Sequence, residues 1–283
     1  IEPHRNTENL CEKFECMRRN RVMGMMNERK ASDVNYKAQR GEERDNETTK
    51  RDGDTSLGLA LVASLKDCVK RKDIHKGIQI HAQIERQGLL ELNLAVGNTL
   101  IDMYAKCGST TRARRVFDRL QVHDVVSWNT LLAGYAQSGK SGHVFHFFEK
   151  MLEQGIKPDV VSFLAVMCAC SRNGLFHRGK TYFEAMTEDY GMVPTIRHHS
   201  CMIDLLGRTG EVDKAVEMVK KMPFCPNLVV WHTILSASKY WGTTSIGKQA
   251  FQQAIHLDKN DAVAYTMITH ILANIEIKGN QTN

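Results

Sequence analysis

From residue 58 onward, two kinds of apolar pattern alternate along the chain. A segment such as "VSWNTLLAGYAQ", with apolar residues every third or fourth position, runs up to a Gly turn. A second amphipathic segment such as "SGHVFHFFEKMLEQG" follows and closes on "IKPD". Both have the helical period, so each pair predicts a helical hairpin. The turn glycines are Gly108, Gly139, Gly174, Gly210 and Gly242, at intervals of 31, 35, 36 and 32 residues. In the first hairpin Lys72 stands where the Gly is expected, although "DIHKGIQIHAQI" there matches "LFHRGKTYFEAM" further on.

The pattern divides the chain into repeats at 58–93, 94–124, 125–159, 160–195, 196–227 and 228–261, with an incomplete one over 262–283. Ala113, Phe117 and Leu120, then Val144, Phe148 and Met151, then Ala215, Val219 and Met222 are spaced to share one face of each second helix. They are expected to be core. One hairpin cannot bury both of its faces, so neighbours must stack. The predicted fold is all-α, a right-handed solenoid of helix-turn-helix repeats whose concave side is lined by the first helices.

Composition changes this picture little. The formal charge is +6, and residues 1–56 hold twelve basic and twelve acidic side chains, so the whole excess lies on 57–283. An anionic partner therefore suits the repeats better than the N-terminal segment. Within 1–57, "KAQRGEERDNETTKRDGDTS" is charged with both signs and nearly free of apolar residues, which predicts disorder. The chain starts with Ile, and the Glu and Asp that follow are unlike the acid-poor pattern of an organellar transit peptide. Its longest nearly apolar run, "VVSFLAVMCAC", is far too short to span a bilayer, so no membrane partner is expected.

Several long phrases carry a family resemblance. "NTLIDMYAKCGSTTRARRVFDRLQVHDVVSWNTLLAGYAQSG", "GIKPDVVSF", "MIDLLGRTGEVDKA" and "MPFCPNLVVWHTILSA" resemble plant pentatricopeptide repeat (PPR) proteins, in particular the subclass in which P, L and S repeats of unequal length alternate. The resemblance covers about 58–275. It implies L-type repeats at 58–93 and 160–195, S-type at 94–124 and 196–227, P-type at 125–159, an E-type repeat at 228–261 and a truncated E-type repeat from 262.

Asn98 and Asn129 stand fifth in their repeats, and those repeats end in Asp124 and Asp159. Each Asp directly precedes a helix and suits an N-cap. The Asn residues lie a turn inside their helices, where Asn is a poor former and no cap is needed. An amide offers a donor and an acceptor side by side, which suits the edge of an unpaired base, and one such group per repeat makes a reader of single-stranded RNA. The resemblance implies which bases: uridine for Asn98 with Asp124 and for Asn129 with Asp159, adenine for Ser200 with Asn227, and none for Leu164 with Thr195. The implied preference is n-U-U-n-A. By the same resemblance the second residues, Ala95, Val126, Val161, Arg197 and Val229, stack against the bases.

Members of this subclass often end in a zinc-dependent cytidine deaminase domain of the DYW type, which needs H-x-E and P-C-x-x-C. Neither occurs here. The expected function is thus RNA binding without catalysis, as in a specificity factor for organellar C-to-U editing that works with a deaminase in trans. Its expected location is the mitochondrion or chloroplast, and its sequence reads as the tail of a longer reader or a degraded copy. The alternative is a protein-binding scaffold of the tetratricopeptide kind, for which a fixed 34-residue period would be the mark.

No cofactor or metal site is expected. The eight cysteines, Cys11, Cys16, Cys68, Cys107, Cys168, Cys170, Cys201 and Cys225, are scattered without a CxxC and read as reduced thiols. His198, His199 and Cys201 in "RHHSC", and His143 with His146, are expected to pack rather than bind metal.

Overall fold

The computed structural model describes residues 47–280, with only the backbone given for 47–56, 91 and 274–280. Residues 1–46, most of the segment predicted to be disordered, lie outside the described residues, as do Cys11 and Cys16. The remainder of that segment, from Glu47, departs from the expectation, because it forms the opening turns of a helix. All regular structure among the described residues is helical. The helices are α1 (Glu47–Arg71), α2 (Ile74–Arg86), α3 (Leu89–Leu92), α4 (Leu94–Lys106), α5 (Thr110–Arg119), α6 (Val125–Gln137), α7 (Ser141–Glu153) and α8 (Val160–Asn173). They continue with α9 (Phe176–Glu188), α10 (Ile196–Arg208), α11 (Val212–Lys221), α12 (Leu228–Trp241), α13 (Thr244–Leu257) and α14 (Ala262–Asn280). Two compact parts divide within α8, at residues 165 and 166.

The hairpin turns follow from backbone sterics. Gly108, Gly139, Gly174, Gly210 and Gly242 all have positive φ, from 63° to 87°. At Gly108 a Cβ would meet nothing within 4 Å, so the left-handed backbone alone makes Gly the favoured residue. Lys72 adopts the same conformation, with φ 58°. It is a non-Gly residue in the αL region, and its Nζ donates to the carbonyl of Lys106 at 2.6 Å, satisfying an acceptor at the end of α4.

In the first part, first and second helices both supply the core. Ala113, Phe117 and Leu120 of the α5 hairpin are buried, as are Val144, Phe148 and Met151 of α7. Trp128 on α6, 1% exposed, meets Phe117 edge-on at 4.9 Å between centroids, and Tyr135 stacks on Phe147 at 5.3 Å. His143 stacks on Tyr135 at 4.8 Å and His146 meets Phe147 edge-on at 5.1 Å, while both residues stay exposed. In the second part, Ala215, Val219 and Met222 join Ile203, Ile234, Ala250 and Ile268 in one core. Each expected core position is therefore buried.

Small residues set how closely neighbouring first helices approach. A Cβ added at Gly134 on α6 would lie 2.6 Å from the Cβ of Ala105 on α4. In the second part the same kind of contact recurs with α10 and α12, where a Cβ at Gly207 would lie 2.8 Å from that of Ala237. Neither contact ends on a flexible side chain, so a methyl group can be fitted only by moving a helix.

Gly134→Ala is therefore expected to destabilise the chain by about 1–3 kcal/mol despite the better helix propensity of Ala. The steric part should be recovered when Ala105→Gly is added. Urea unfolding of the single and double variants, followed by circular dichroism, measures both effects.

Candidate functional site

The first helices α4, α6, α8, α10, α12 and α14 begin at residues 94, 125, 160, 196, 228 and 262. The residue before each of these starts accepts hydrogen bonds from the first turn. Asn93 accepts from Val96 N–H at 3.2 Å, Asp124 from Ser127 N–H at 2.8 Å, and Asp159 from Ser162 N–H at 2.9 Å. Asn227 accepts from Val230 N–H at 3.2 Å, and Asp261 from Ala264 N–H at 3.2 Å. Thr195 forms a capping box with His198. Orphan donors at these helix N-termini are thus satisfied by one register position.

In three repeats the same carboxylate also reaches back to the preceding first helix. Asn129 Nδ2 donates to Asp159 Oδ1 at 2.9 Å, and the Asn129 carbonyl accepts from Ser162 Oγ at 2.5 Å. Asn129 is buried, 8% exposed. The Asn98 amide helps to lower the Asp124 carboxyl, while Ser127 Oγ donates to Asp124 at 2.8 Å. The result is that Asn98 Oδ1 is buried without a hydrogen-bond partner. Such an acceptor costs about 1–3 kcal/mol until a donor reaches it. An ionised carboxylate can only accept, so it binds the NH₂ side of each amide and thereby decides which way the carbonyl points.

The third instance joins His232 and Asp261. The imidazole Nε2 lies 2.5 Å from Asp261 Oδ2, while Asp261 Oδ1 accepts from Val263 N–H at 3.1 Å. His232 is fifth in 228–261 and Asp261 is last, so the pair occupies the register of Asn98 with Asp124. Reading only amides and a hydroxyl as candidates passed over it. Position in the repeat, applied without regard to residue type, would have found it.

Burial alone would raise the carboxyl of Asp124, but hydrogen bonds from the Ser127 N–H and hydroxyl, with the Asn98 amide, hold it below the ordinary range. Asp261 behaves alike: burial raises it, and the bond from His232 with the Ala264 and Val263 N–H groups brings it down overall.

Ser200 and Asn227 are not joined in this way. Ser200 Oγ donates to the carbonyl of Ile196 at 2.8 Å, and Asn227 caps α12. Of the second-position residues, Val126, Val161 and Val229 are 52%, 47% and 60% exposed, and Ala95 and Arg197 are exposed too. Val263, in the same place on α14, is 47% exposed. Exposed aliphatic side chains therefore recur on the first turns of these helices. The last turns of α4, α8 and α10 carry Lys106, Arg172 and Arg208. In the second part, Arg172, Arg208, Tyr240 and Trp241 help to line a groove of about 510 Å³.

His198 and His199 both place Nδ1 at Thr195, the former 2.8 Å from its hydroxyl and the latter 3.1 Å from its carbonyl. Both are buried and serve the start of α10. Among the described residues no three His, Cys, Asp or Glu side chains gather where a metal ion could be held.

Repeated helical hairpins, each opened by a capping residue that in some repeats also engages the preceding first helix, define a helical-repeat protein. Residues 123–186 match the PPR repeat family, and residues 98–125 and 198–225 match the PPR repeat. The chain is a PPR repeat protein of the plant type. It is 38% identical to one Arabidopsis thaliana pentatricopeptide repeat-containing protein over 77% of this chain and 29% of that one. It is also 40% identical to a relative from the same plant named chloroplastic, over 71% of this chain and 23% of that one. A relative named mitochondrial, again from Arabidopsis thaliana, is 36% identical over 80% of this chain and 35% of that one. The chain thus spans about a third or less of these relatives. Among solved structures, the PPR domain of Arabidopsis thaliana protein-only RNase P 1 in complex with tRNA has the same fold. Its TM-score is 0.51 at 16% identity, over 64% of this chain and 98% of that one.

Asp124→Ala is expected to cost about 1–2 kcal/mol at neutral pH through the lost cap. The folded carboxyl is depressed, so its contribution is complete above the unfolded value of about 3.9 and fades as pH falls through the folded value. Urea midpoints of wild type and variant should therefore differ at pH 7 and draw together on acidification toward pH 2.

Proposed function

We propose that the chain binds single-stranded RNA along its first helices, one base per repeat, with Asn98 and Asn129 as the paired reading amides. The observation that carries the reading is the bond from the Asn129 amide to Asp159, with the influence of the Asn98 amide on the Asp124 carboxyl beside it. It holds that amide in a fixed orientation, which reading by hydrogen bonds requires. After one N–H is given to the carboxylate, each amide retains a second N–H and its carbonyl, a donor beside an acceptor. Uracil presents the complement, N3–H beside a carbonyl. In Asn129 that carbonyl must exchange Ser162 Oγ for the base, whereas in Asn98 it gains a partner it lacks.

Family membership supports the same function, as does the tRNA in the related PPR domain. Exposed Val126, Val161 and Val229 offer apolar surface to base faces, and Arg197 can stack or meet phosphate. Lys106, Arg172 and Arg208 lie where a phosphate backbone could be neutralised. The repeats specify n-U-U-n-A, with the adenine assigned to Ser200 and Asn227.

The role that fits is specificity factor in organellar C-to-U editing, in mitochondrion or chloroplast. Here 58–227 are alternating L, S and P repeats, and 228–283 is an E-type extension. A DYW-type deaminase or other editing factor would act in trans. Three specified bases recur by chance about once in 64 nucleotides, so these repeats alone cannot single out one transcript. A longer protein supplying further repeats is consistent with the share of its relatives that this chain spans.

Gel-shift titration with RNA containing UUnA, against the same RNA with AAnG, tests the reading. A preference of about tenfold or more is expected, because each mismatch costs about 1–3 kcal/mol. Asn98→Ala with Asn129→Ala should abolish the preference, and affinity should fall steeply as salt is raised. Equal affinity for both RNAs would remove base reading. Absence of RNA binding at any salt would favour the scaffold alternative.

A further inference from the structure

Cys168 on α8 and Cys201 on α10 are 33 residues apart in sequence, and their Sγ atoms lie 3.4 Å apart. Both belong to the second compact part. Cys201 is buried, and Cys168 is partly exposed. The hydrogen bond from Cys201 favours the Cys168 thiolate, followed by the charges of Arg197 and Arg172, and together these hold Cys168 below the ordinary thiol range against its burial. Cys201 moves the other way, raised by that same bond and by burial. Asp204 opposes the thiolate, but it is already engaged by Arg208 Nε at 2.7 Å and by the Ser171 hydroxyl. Two residues from Cys168, burial pushes Cys170 up to about 12. The neighbourhood thus places a partly exposed cysteine beside two arginines and a second, buried cysteine whose sulfur is in contact with it. That is the arrangement of an attacking and a resolving thiol.

We propose that Cys168 and Cys201 form a peroxide-reactive thiol pair that closes to an intrachain disulfide and staples α8 to α10. The Cys168 thiolate attacks one oxygen of hydrogen peroxide. The O–O bond breaks, hydroxide leaves, and Cys168 becomes a sulfenic acid. Cys201 sulfur then attacks the Cys168 sulfur, the S–O bond breaks, and the departing hydroxide takes the Cys201 proton to leave as water. The two thiols lose two electrons and peroxide is reduced to water. Closure shortens the sulfur separation from 3.4 Å to about 2.05 Å, a change on the scale of side-chain rotation. The staple joins two consecutive first helices and needs no assumption about what those helices bind.

The test is a time course on the reduced full chain with equimolar hydrogen peroxide. Samples are quenched with iodoacetamide, digested and mapped by mass spectrometry. A Cys168–Cys201 linked peptide is expected while Cys107 and exposed Cys225 remain alkylated, and dithiothreitol should reverse the link. Without peroxide, Cys168 should be alkylated about tenfold or more faster than Cys170 at neutral pH. In Cys201→Ser the reaction should stop at a sulfenic acid on Cys168 that dimedone traps. Oxidation of Cys225 at the rate of Cys168, or links mainly to other cysteines or between chains, would overturn the proposal. Because the linked peptide is sought in the wild-type chain, the test stands even if the variant folds poorly.

Discussion

The carboxylate at the end of a repeat is the contact on which this molecule's organisation turns. Asp159 accepts from the N–H groups of Val161 and Ser162, which begin the next first helix, and from the Asn129 amide of the previous one. A single acceptor therefore ends one repeat, starts another and fixes the register between them. Asp124 and Asp261 repeat the arrangement with different partners, an amide and an imidazole. Each bond is worth only about 1 kcal/mol net. Their concentration on one small side chain makes the geometry hard to alter piecemeal.

Around that contact, large buried side chains and exposed first-turn side chains lie on different faces of the first helices. First and second helices both hold large side chains in the core, among them Tyr104, Trp128, Phe147 and Phe148. The first helices meet through Gly and Ala, which bring backbones close and leave their first-turn side chains exposed. Val126 and Val161 are consequently left exposed to solvent. The exposed Val263 and Tyr265 on α14 extend that pattern to the last helix.

Much of the fold was legible because it rests on local rules. A left-handed turn selects Gly, and the turn glycines read from the repeat interval do adopt positive φ. Helical spacing selected core residues, and those are buried. What stayed hidden depends on contacts between residues about thirty positions apart. Nothing near Lys72 signals that its side chain will reach the carbonyl of Lys106. Cys168 and Cys201 carry no CxxC spacing to announce their meeting. Asn98 and Asn129 look alike in sequence, yet the serine that completes Asn129 turns to Asp124 at the equivalent place and leaves Asn98 short of a donor. The helix at 47–57 was missed because its charge-rich composition reads as disorder.

The residues that close the repeats are Asn93, Asp124, Asp159, Thr195, Asn227 and Asp261. Every one of them can accept a hydrogen bond from a backbone N–H, and helix initiation accounts for that common property. The second helices α7 and α9 start after Lys140 and Leu175 without a side-chain cap, whereas these first helices all start after a residue whose side chain can cap them. Any recognition rule written partly in this position inherits the restriction. The fifth position of the same six repeats caps no helix start and holds Val, Asn, Asn, Leu, Ser and His. A change at the last position forfeits a helix cap worth about 1 kcal/mol, and a change at the fifth does not.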